Sequence, residues 1–359
     1  MARLSFSLSL LLVLLSACST TTAPTESFVS SVSLSSPVSD GSAQLKTFAF
    51  DSAAKFIQVP TSGTLFSSEV RVATYANKKL FFIAEQGCAT LDFNSERVSN
   101  TPLNDLLQAF NVSLRALIEC SAQAYDSVAH VVNISDEDRN IALLTLVKNA
   151  RQKRLELARP LLSAHPHDAL GQYVFWRAII QDSSLPTDEL DALINSADPN
   201  LLAFPPTCIA VRRHRNALQT SVGRPLADLS LRPTPDSLTS LSHLVWPHHL
   251  TLLHVFDPYN PHTPADFNTL DALHNAFPSL NIISLCQFAN SDITHRLSQK
   301  FSPSWFIIND SAAVTTHVYG LSQLPTFFII KDSTIVERNI ASNALMHWFL
   351  AEKNELRTK

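Results

Sequence analysis

The sequence predicts a multidomain α+β chain: an N-terminal antiparallel β-sandwich or small barrel, a helical connector and a C-terminal α/β domain. Three observations carry this prediction. Residues 28–95 hold short β-branched and aromatic runs divided by turn residues. Residues 136–220 place apolar side chains at helical spacing. From 221, strand-like and helix-like stretches alternate and finish in a hairpin and a helix, the order of a mixed sheet covered by helices. A chain of 359 residues, 45% hydrophobic and 16% charged, is long enough for two or three cores. Its net charge of −4 comes without a basic stripe, so nothing points to nucleic acid.

The N-terminus reads as an export signal. Arg3 precedes the apolar run "LSFSLSLLLVLL", which is too short for an ordinary membrane span. "LSAC" at 15–18 follows, and Leu-small-small-Cys after such a run resembles a bacterial lipobox. Residues 1–17 are then a signal peptide and Cys18 the lipidated first residue of the mature chain. Multiple acylation gives stable membrane anchoring. Residues 18–27 are a flexible Ser/Thr/Pro tether. No later run is long and charge-free enough to cross a bilayer.

The β-domain, with its closing helix, is expected over 28–120. "FVSSVSL", "LKTFAF", "SEVRVATY", "KKLFFIAE" and "ATLDF" supply the strands, with a hairpin turn on Asn77. Its aromatic residues, Phe48, Phe50, Tyr75, Phe81, Phe82 and Phe93, are read as alternating into the domain's own core. Thr101 caps the closing helix and Pro102 takes its first position, where a missing N–H costs nothing. Leu103, Leu106, Leu107, Phe110, Leu114, Leu117 and Ile118 form its apolar stripe. The connector, 121–220, opens a helix at a capping box of Ser135 and Asp138. Pro160 and Pro166 are expected to punctuate the helices, and Asp198-Pro199 to stop the third.

The third domain spans 221–359. "DFNTLDALHNAF" is helical, with Phe267, Leu270, Leu273 and Phe277 on one face. "SLNIISLCQF" reads as a buried strand and "LPTFFIIKDSTIVERNIA" as a hairpin turning at Asp332-Ser333. Cys88, Cys120, Cys208 and Cys286 stand too far apart in sequence for CxxC or zinc-type spacing. They are read as small core residues, with any pairing left open. His248, His249, His254 and His262 lack the spacing of a metal site. There is no GxSxG, no HExxH and no Thr-x-x-Cys after the relevant strand, so hydrolase and peroxidase chemistry find no support.

Taken together, these pieces resemble the lipid-anchored TlpA/ResA-like thiol-disulfide oxidoreductases of Gram-negative bacteria, in the long form with an N-terminal β-domain of unknown function. "SVGRPLADLSLRPTPDSLTSLSHL" is similar to that family's leading hairpin at Val222, Gly223, Pro225, Asp228, Pro235 and Asp236, with Leu229 and Ser237 departing from it. "FFIAEQGCATLDF" and "VSNTPLNDLLQAF" resemble the close of its β-domain, with Asn100 replacing Gly. The resemblance implies a thioredoxin-like C-terminal domain with a cis-proline at Pro325, and a semi-buried acid where this chain has His254. It also places a Cys-Pro-His-Cys loop over "FDPYNPHTPADF": Phe256, Asp257, Pro258, Pro261 and His262 match, while Asn260 and Thr263 occupy the two cysteine positions.

The chemistry of that family needs a thiolate to attack a disulfide and a second thiol to resolve the mixed disulfide. Neither Asn260 nor Thr263 supplies one. The expectation is therefore a redox-inactive lipoprotein that binds a periplasmic protein or peptide. The binding surface would comprise Tyr259, Pro261, His262, Leu324 and Pro325, with no cofactor and no metal. The alternative is a thiol-disulfide oxidoreductase working through a cysteine outside a CxxC pair. Cys286, late in an apolar strand, reads as buried and inert. Ser19 and the absence of an acidic cluster after Cys18 suggest outer-membrane retention facing the periplasm.

Overall fold

The computed structural model describes residues 34–35, 56–61, 68–75, 78–85, 87–232, 238–247, 249–288, 291–301, 303–310 and 312–358. Cys18, the signal and tether, Phe48 and Phe50, the turn at Asn77, and Pro235-Asp236 lie outside them. Contacts divide the chain into two compact units that meet between Val211 and Arg212.

The first unit begins with six strands: β1 (Leu34–Ser35), β2 (Phe56–Thr61), β3 (Glu69–Tyr75), β4 (Lys78–Ala84), β5 (Gly87–Asp92) and β6 (Arg97–Ser99). They pair antiparallel in two three-stranded sheets, ordered β1-β3-β4 and β2-β5-β6. The helices that follow are α1 (Pro102–Ala129), α2 (Asp136–Ala164), α3 (Ala169–Phe175), which continues into a π-helical turn at Trp176–Ile180, α4 (Thr187–Ser196), α5 (Pro199–Leu202) and α6 (Pro205–Gln219), which belongs to the second unit from Arg212 onward. Strand β4 explains why strands and helices share one unit. Its side chains alternate faces. Leu80, Phe82 and Ala84 pack with Leu91, Phe93 and Val98 among the strands. Ile83 and Phe81 pack on the other face with Leu107, Phe110, Tyr173 and Val174 of the helices. The boundary expected at 120 falls inside α1.

Several local expectations are corrected. Thr101 holds the N-cap position of α1, but its hydroxyl makes no capping bond. Glu85 does that work, its Oε1 accepting from the N–H groups of Leu103 (2.8 Å) and Asn104 (3.1 Å). Leu106 sits at the stripe's edge, 39% exposed. Pro160 lies inside α2 rather than ending it, at an exposed position of the helix. Helix α4 ends at Ser196, just ahead of Asp198-Pro199 as read, and the same pair also starts α5, with the Asp198 carboxylate accepting from the Asn200 N–H. The Ser135 cap stands as read: its Oγ accepts from the Asp138 N–H at 3.0 Å.

The second unit contains β7 (Ser230–Leu231), β8 (Thr239–Ser240), α7 (Leu241–Leu244), β9 (Leu250–Phe256), α8 (Thr263–Ala276), β10 (Asn281–Gln287), α9 (Ser291–Phe301), β11 (Phe306–Asp310), α10 (Val314–Val318), β12 (Thr326–Lys331), β13 (Thr334–Arg338) and α11 (Ser342–Thr358). Its main sheet runs β11-β10-β9-β12-β13. Strands β9, β10 and β11 are parallel, and β12 and β13 antiparallel to them. This is the thioredoxin-like mixed sheet that the resemblance implies. Strand β10 is buried at every position and β9 at all but its first, as expected of central strands covered on both faces. Leu252 of β9 faces Leu270, Leu273, Leu345 and Phe349 of α8 and α11. Leu253 and Val255 face Leu229, Leu241 and Tyr319 on the other side.

The leading segment pairs with the far edge. Gly223 donates to the Ile335 carbonyl and Leu226 to that of Ser333, both at 2.8 Å. Arg338 ties the same edge to the end of α6, donating to the carbonyls of Ala217 (3.1 Å) and Thr220 (2.7 Å). Asp332 and Ser333 turn the hairpin with φ of 47° and 59°, the conformation of a two-residue primed turn.

Candidate functional site

Strand β9 delivers the chain to residues 257–262, and α8 leaves from them. Asp257 organises the loop. Its Oδ1 accepts from the Tyr259 N–H at 2.9 Å. Its carbonyl accepts from the Asn260 N–H at 3.1 Å and from the Thr263 hydroxyl at 2.9 Å. Thr263 is the first residue of α8 and only 2% exposed, so its hydroxyl is enclosed with that carbonyl.

Asn260 closes the other side. Its Oδ1 accepts from the His262 N–H at 2.9 Å, taking one of the donors that a helix start leaves unpaired. Its Nδ2 donates to the Leu324 carbonyl at 3.1 Å. Leu324 precedes Pro325 through a cis peptide bond, and Thr326 then enters β12 beside Val255 of β9. One side-chain amide thus joins the start of α8 to the approach of β12, sixty-four residues further along the chain. The loop is held by the amide of Asn260 and the hydroxyl of Thr263.

The structure brings Asn260, Thr263, Leu324 and Pro325 into one locus. Pro261 and His262 are exposed beside it, and Tyr259 is 68% exposed. Nothing at this surface is a thiol. Cys286 lies on β10, in register with Phe256. It is completely buried against Phe256 and Phe267. Burial pushes its pKa up to about 12, and the Asp257 charge adds to the rise, against a hydrogen bond from Thr294. A thiol so protonated is a poor nucleophile. Cys120 and Cys208 are free and exposed, which corrects their reading as core residues; the Cys208 thiol reaches the Leu202 carbonyl at 2.9 Å. The Cys88 side chain lies outside the described residues.

Beneath the loop sits His254, also completely buried. Its ring is stacked between Phe256 and Phe327, each 4.7 Å away. Nδ1 contacts the Ser284 hydroxyl at 3.2 Å and Nε2 has no hydrogen-bond partner. Desolvation lowers its pKa to about 3, so the ring is neutral at physiological pH. His249 and His262 lie beyond opposite ends of β9 and are both exposed, so neither joins His254, and His248 lies outside the described residues. Among the described residues no group of three or more His, Cys, Asp or Glu side chains is placed to hold a metal ion.

Two further residues were not singled out in the sequence. Asp266, one turn into α8, is 4% exposed with an unpartnered Oδ2, and burial raises its pKa despite Ser342 and His262. Phe288, expected inside a buried strand, lies just beyond β10 and is 54% exposed. At the opposite end of β9 a concavity of about 370 Å³ is lined by Leu250, Phe277, Leu280 and Phe349. Lys331 and Glu352 also line it, but they pair with each other at 3.2 Å, leaving mainly apolar wall. No helix among the described residues is long and apolar enough to cross a membrane.

No known family profile matches the chain, and no curated protein matches it. Solved structures similar to it include a thioredoxin-like protein from Bacteroides caccae, at 12% identity over 60% of this chain and 83% of that one, with a TM-score of 0.40. A thiol:disulfide interchange protein from Bacteroides sp. is 12% identical over 36% of this chain and 89% of that one, with a TM-score of 0.33. StoA from Bacillus subtilis is 15% identical over 34% of this chain and 96% of its own, with a TM-score of 0.29. At such scores the description of the second unit rests on its own strand order and register.

Proposed function

We propose that this chain is a redox-inactive thioredoxin-like lipoprotein, anchored through Cys18 to the outer membrane and facing the periplasm, that binds a protein or peptide partner. The observation that carries this reading is the hydrogen bonding of Asn260 and Thr263. Both family sulfurs are absent together, and their replacements hold the loop rather than leaving a gap. The Asn260 amide cannot attack a disulfide, and the Thr263 hydroxyl, committed to the Asp257 carbonyl, cannot resolve one. The exposed Pro261 and His262 beside Leu324 and Pro325 offer a surface on which an extended chain can lie, and such binding needs no sulfur. The proposed surface comprises Tyr259, Pro261, His262, Leu324 and Pro325.

The test is an insulin reductase assay with dithiothreitol as the reductant, on the full-length chain and on the Asn260→Cys/Thr263→Cys variant. The native chain is expected to be silent. The variant is expected to gain turnover, because a thiolate at 260 can attack the substrate disulfide and a thiol at 263 can release it. Turnover by the native chain would instead support an oxidoreductase working through another cysteine.

A further inference from the structure

The outer part of the α1–α2 hairpin buries no side chain. The last buried residue of α1 is Leu114, and α2 buries Ala158 alone among its 29 residues. From 115 to 157 every side chain of the two helices and their turn is half-buried or exposed. On α2 this leaves a stripe of exposed residues: Glu137, Ile141 (57% exposed), Leu144 (49% exposed) and Lys148. At 3.6 residues per turn the four lie within about 60° of one another around the helix. Leu143, Leu146 and Ala150 fall on the opposite side and are half-buried, the side left for packing against α1. An apolar pair facing solvent on the outside of such a helix is a packing face without its neighbour.

The order of the stripe says what covers it. Its apolar pair stands in the middle, with an acid at the N-terminal end and a base at the C-terminal end. The midpoint between Glu137 and Lys148 is also the midpoint between Ile141 and Leu144. When a second α2 is laid antiparallel across that point, each Glu137 meets the Lys148 of the other copy, and each Ile141 meets the other's Leu144. One twofold axis makes all of these pairings at once. A parallel alignment would set like charges against each other at both ends. Neither Glu137 nor Lys148 has an ion pair within the chain among the described residues, so both charges are free to serve a second copy.

We infer that this stripe is a self-association surface: two copies of the chain pair through antiparallel α2 helices, with Ile141 and Leu144 at the centre and Glu137–Lys148 ion pairs at the ends. Four residues per copy make a small contact, so the pairing is weak and reversible. It uses neither the 257–263 loop nor any cysteine, and it stands apart from the binding reading above.

Sedimentation equilibrium of the full-length chain, from micromolar to millimolar concentration, reads the monomer–dimer balance. The native chain is expected to dimerise. Glu137→Lys and Lys148→Glu each set like charges together at both ends, and each is expected to weaken the dimer at least tenfold. An equimolar mixture of these two variants is expected to pair as tightly as the native chain. So is the double swap Glu137→Lys/Lys148→Glu, in which the charges exchange places. Leu144→Ser is expected to weaken pairing with no charge changed. A lysine at 137 also opposes the dipole at the start of α2. Recovery in the double swap, which carries the same lysine, separates lost pairing from lost folding. A native chain that stays monomeric throughout overturns the inference. Equal association in every variant places the contact elsewhere and overturns it too. Weakening without recovery in the mixture and the double swap excludes the antiparallel register, and with it the inference.

Discussion

The loop at 257–263 and the layer of side chains directly beneath it are built on opposite terms. The loop exposes Tyr259, Pro261 and His262 to solvent and is rich in hydrogen bonds, and its side chains include no thiol. The layer beneath holds a thiol and an imidazole, Cys286 and His254, both fully buried and both held neutral by desolvation. Access and reactivity are separated by one residue layer. An enzyme of the resembled family needs both in one place, whereas a binding surface needs only the first.

Acid breaks this comparison most strongly. His254 has a folded pKa of about 3 against an ordinary 6.5. A lowered histidine contributes its stability in full above about pH 6.5, and loses it as the pH falls toward 3. The loss is on the order of a few kcal/mol by the foot of that window. Urea unfolding at stepped pH should show that fall in the native chain and a flatter profile in His254→Leu. Equal slopes would place the acid sensitivity elsewhere.

Removing the loop's fastenings sharpens the comparison with smaller effects. Asn260→Ala deletes the acceptor of the His262 N–H and the donor to the Leu324 carbonyl, and is expected to cost about 1–2 kcal/mol. Thr263→Val keeps the buried shape and loses only the bond to the Asp257 carbonyl, at about 1 kcal/mol. Denaturant midpoints check both. A larger cost for Thr263→Val than for Asn260→Ala would mean that the buried hydroxyl, not the bridging amide, carries the loop.

Much of this architecture could be read from the residues, and what escaped has physical causes. Strand β9, helix α8, strand β10 and the Asp332-Ser333 hairpin were legible because burial and turn chemistry write themselves into local pattern. Strands β2, β6 and β11 were not: β6 is only three residues, and β2 and β11 mix apolar with polar residues over five or six positions. Asn260 drew attention only through the family resemblance, which places a cysteine at its position. Its bond to Leu324 was not legible, since no local spacing encodes a contact between segments so far apart. Phe288 was misassigned because an apolar residue ending an apolar run looks like more strand. Only the backbone shows that the chain has already turned. The Glu85 cap of α1 escaped for the same reason as the Asn260 bridge: its partner comes from another element.

The separation of access from reactivity is tested most directly by thiol mapping. The native full-length chain would be treated with iodoacetamide at pH 8, quenched over time, and each cysteine peptide quantified by mass spectrometry. Cys120 and Cys208 should be alkylated at the rate of free exposed thiols, while Cys286 stays unmodified until denaturant is added. Alkylation of Cys286 in the native chain at a rate comparable to Cys120 would contradict the account, and would put a usable thiol directly beneath the loop.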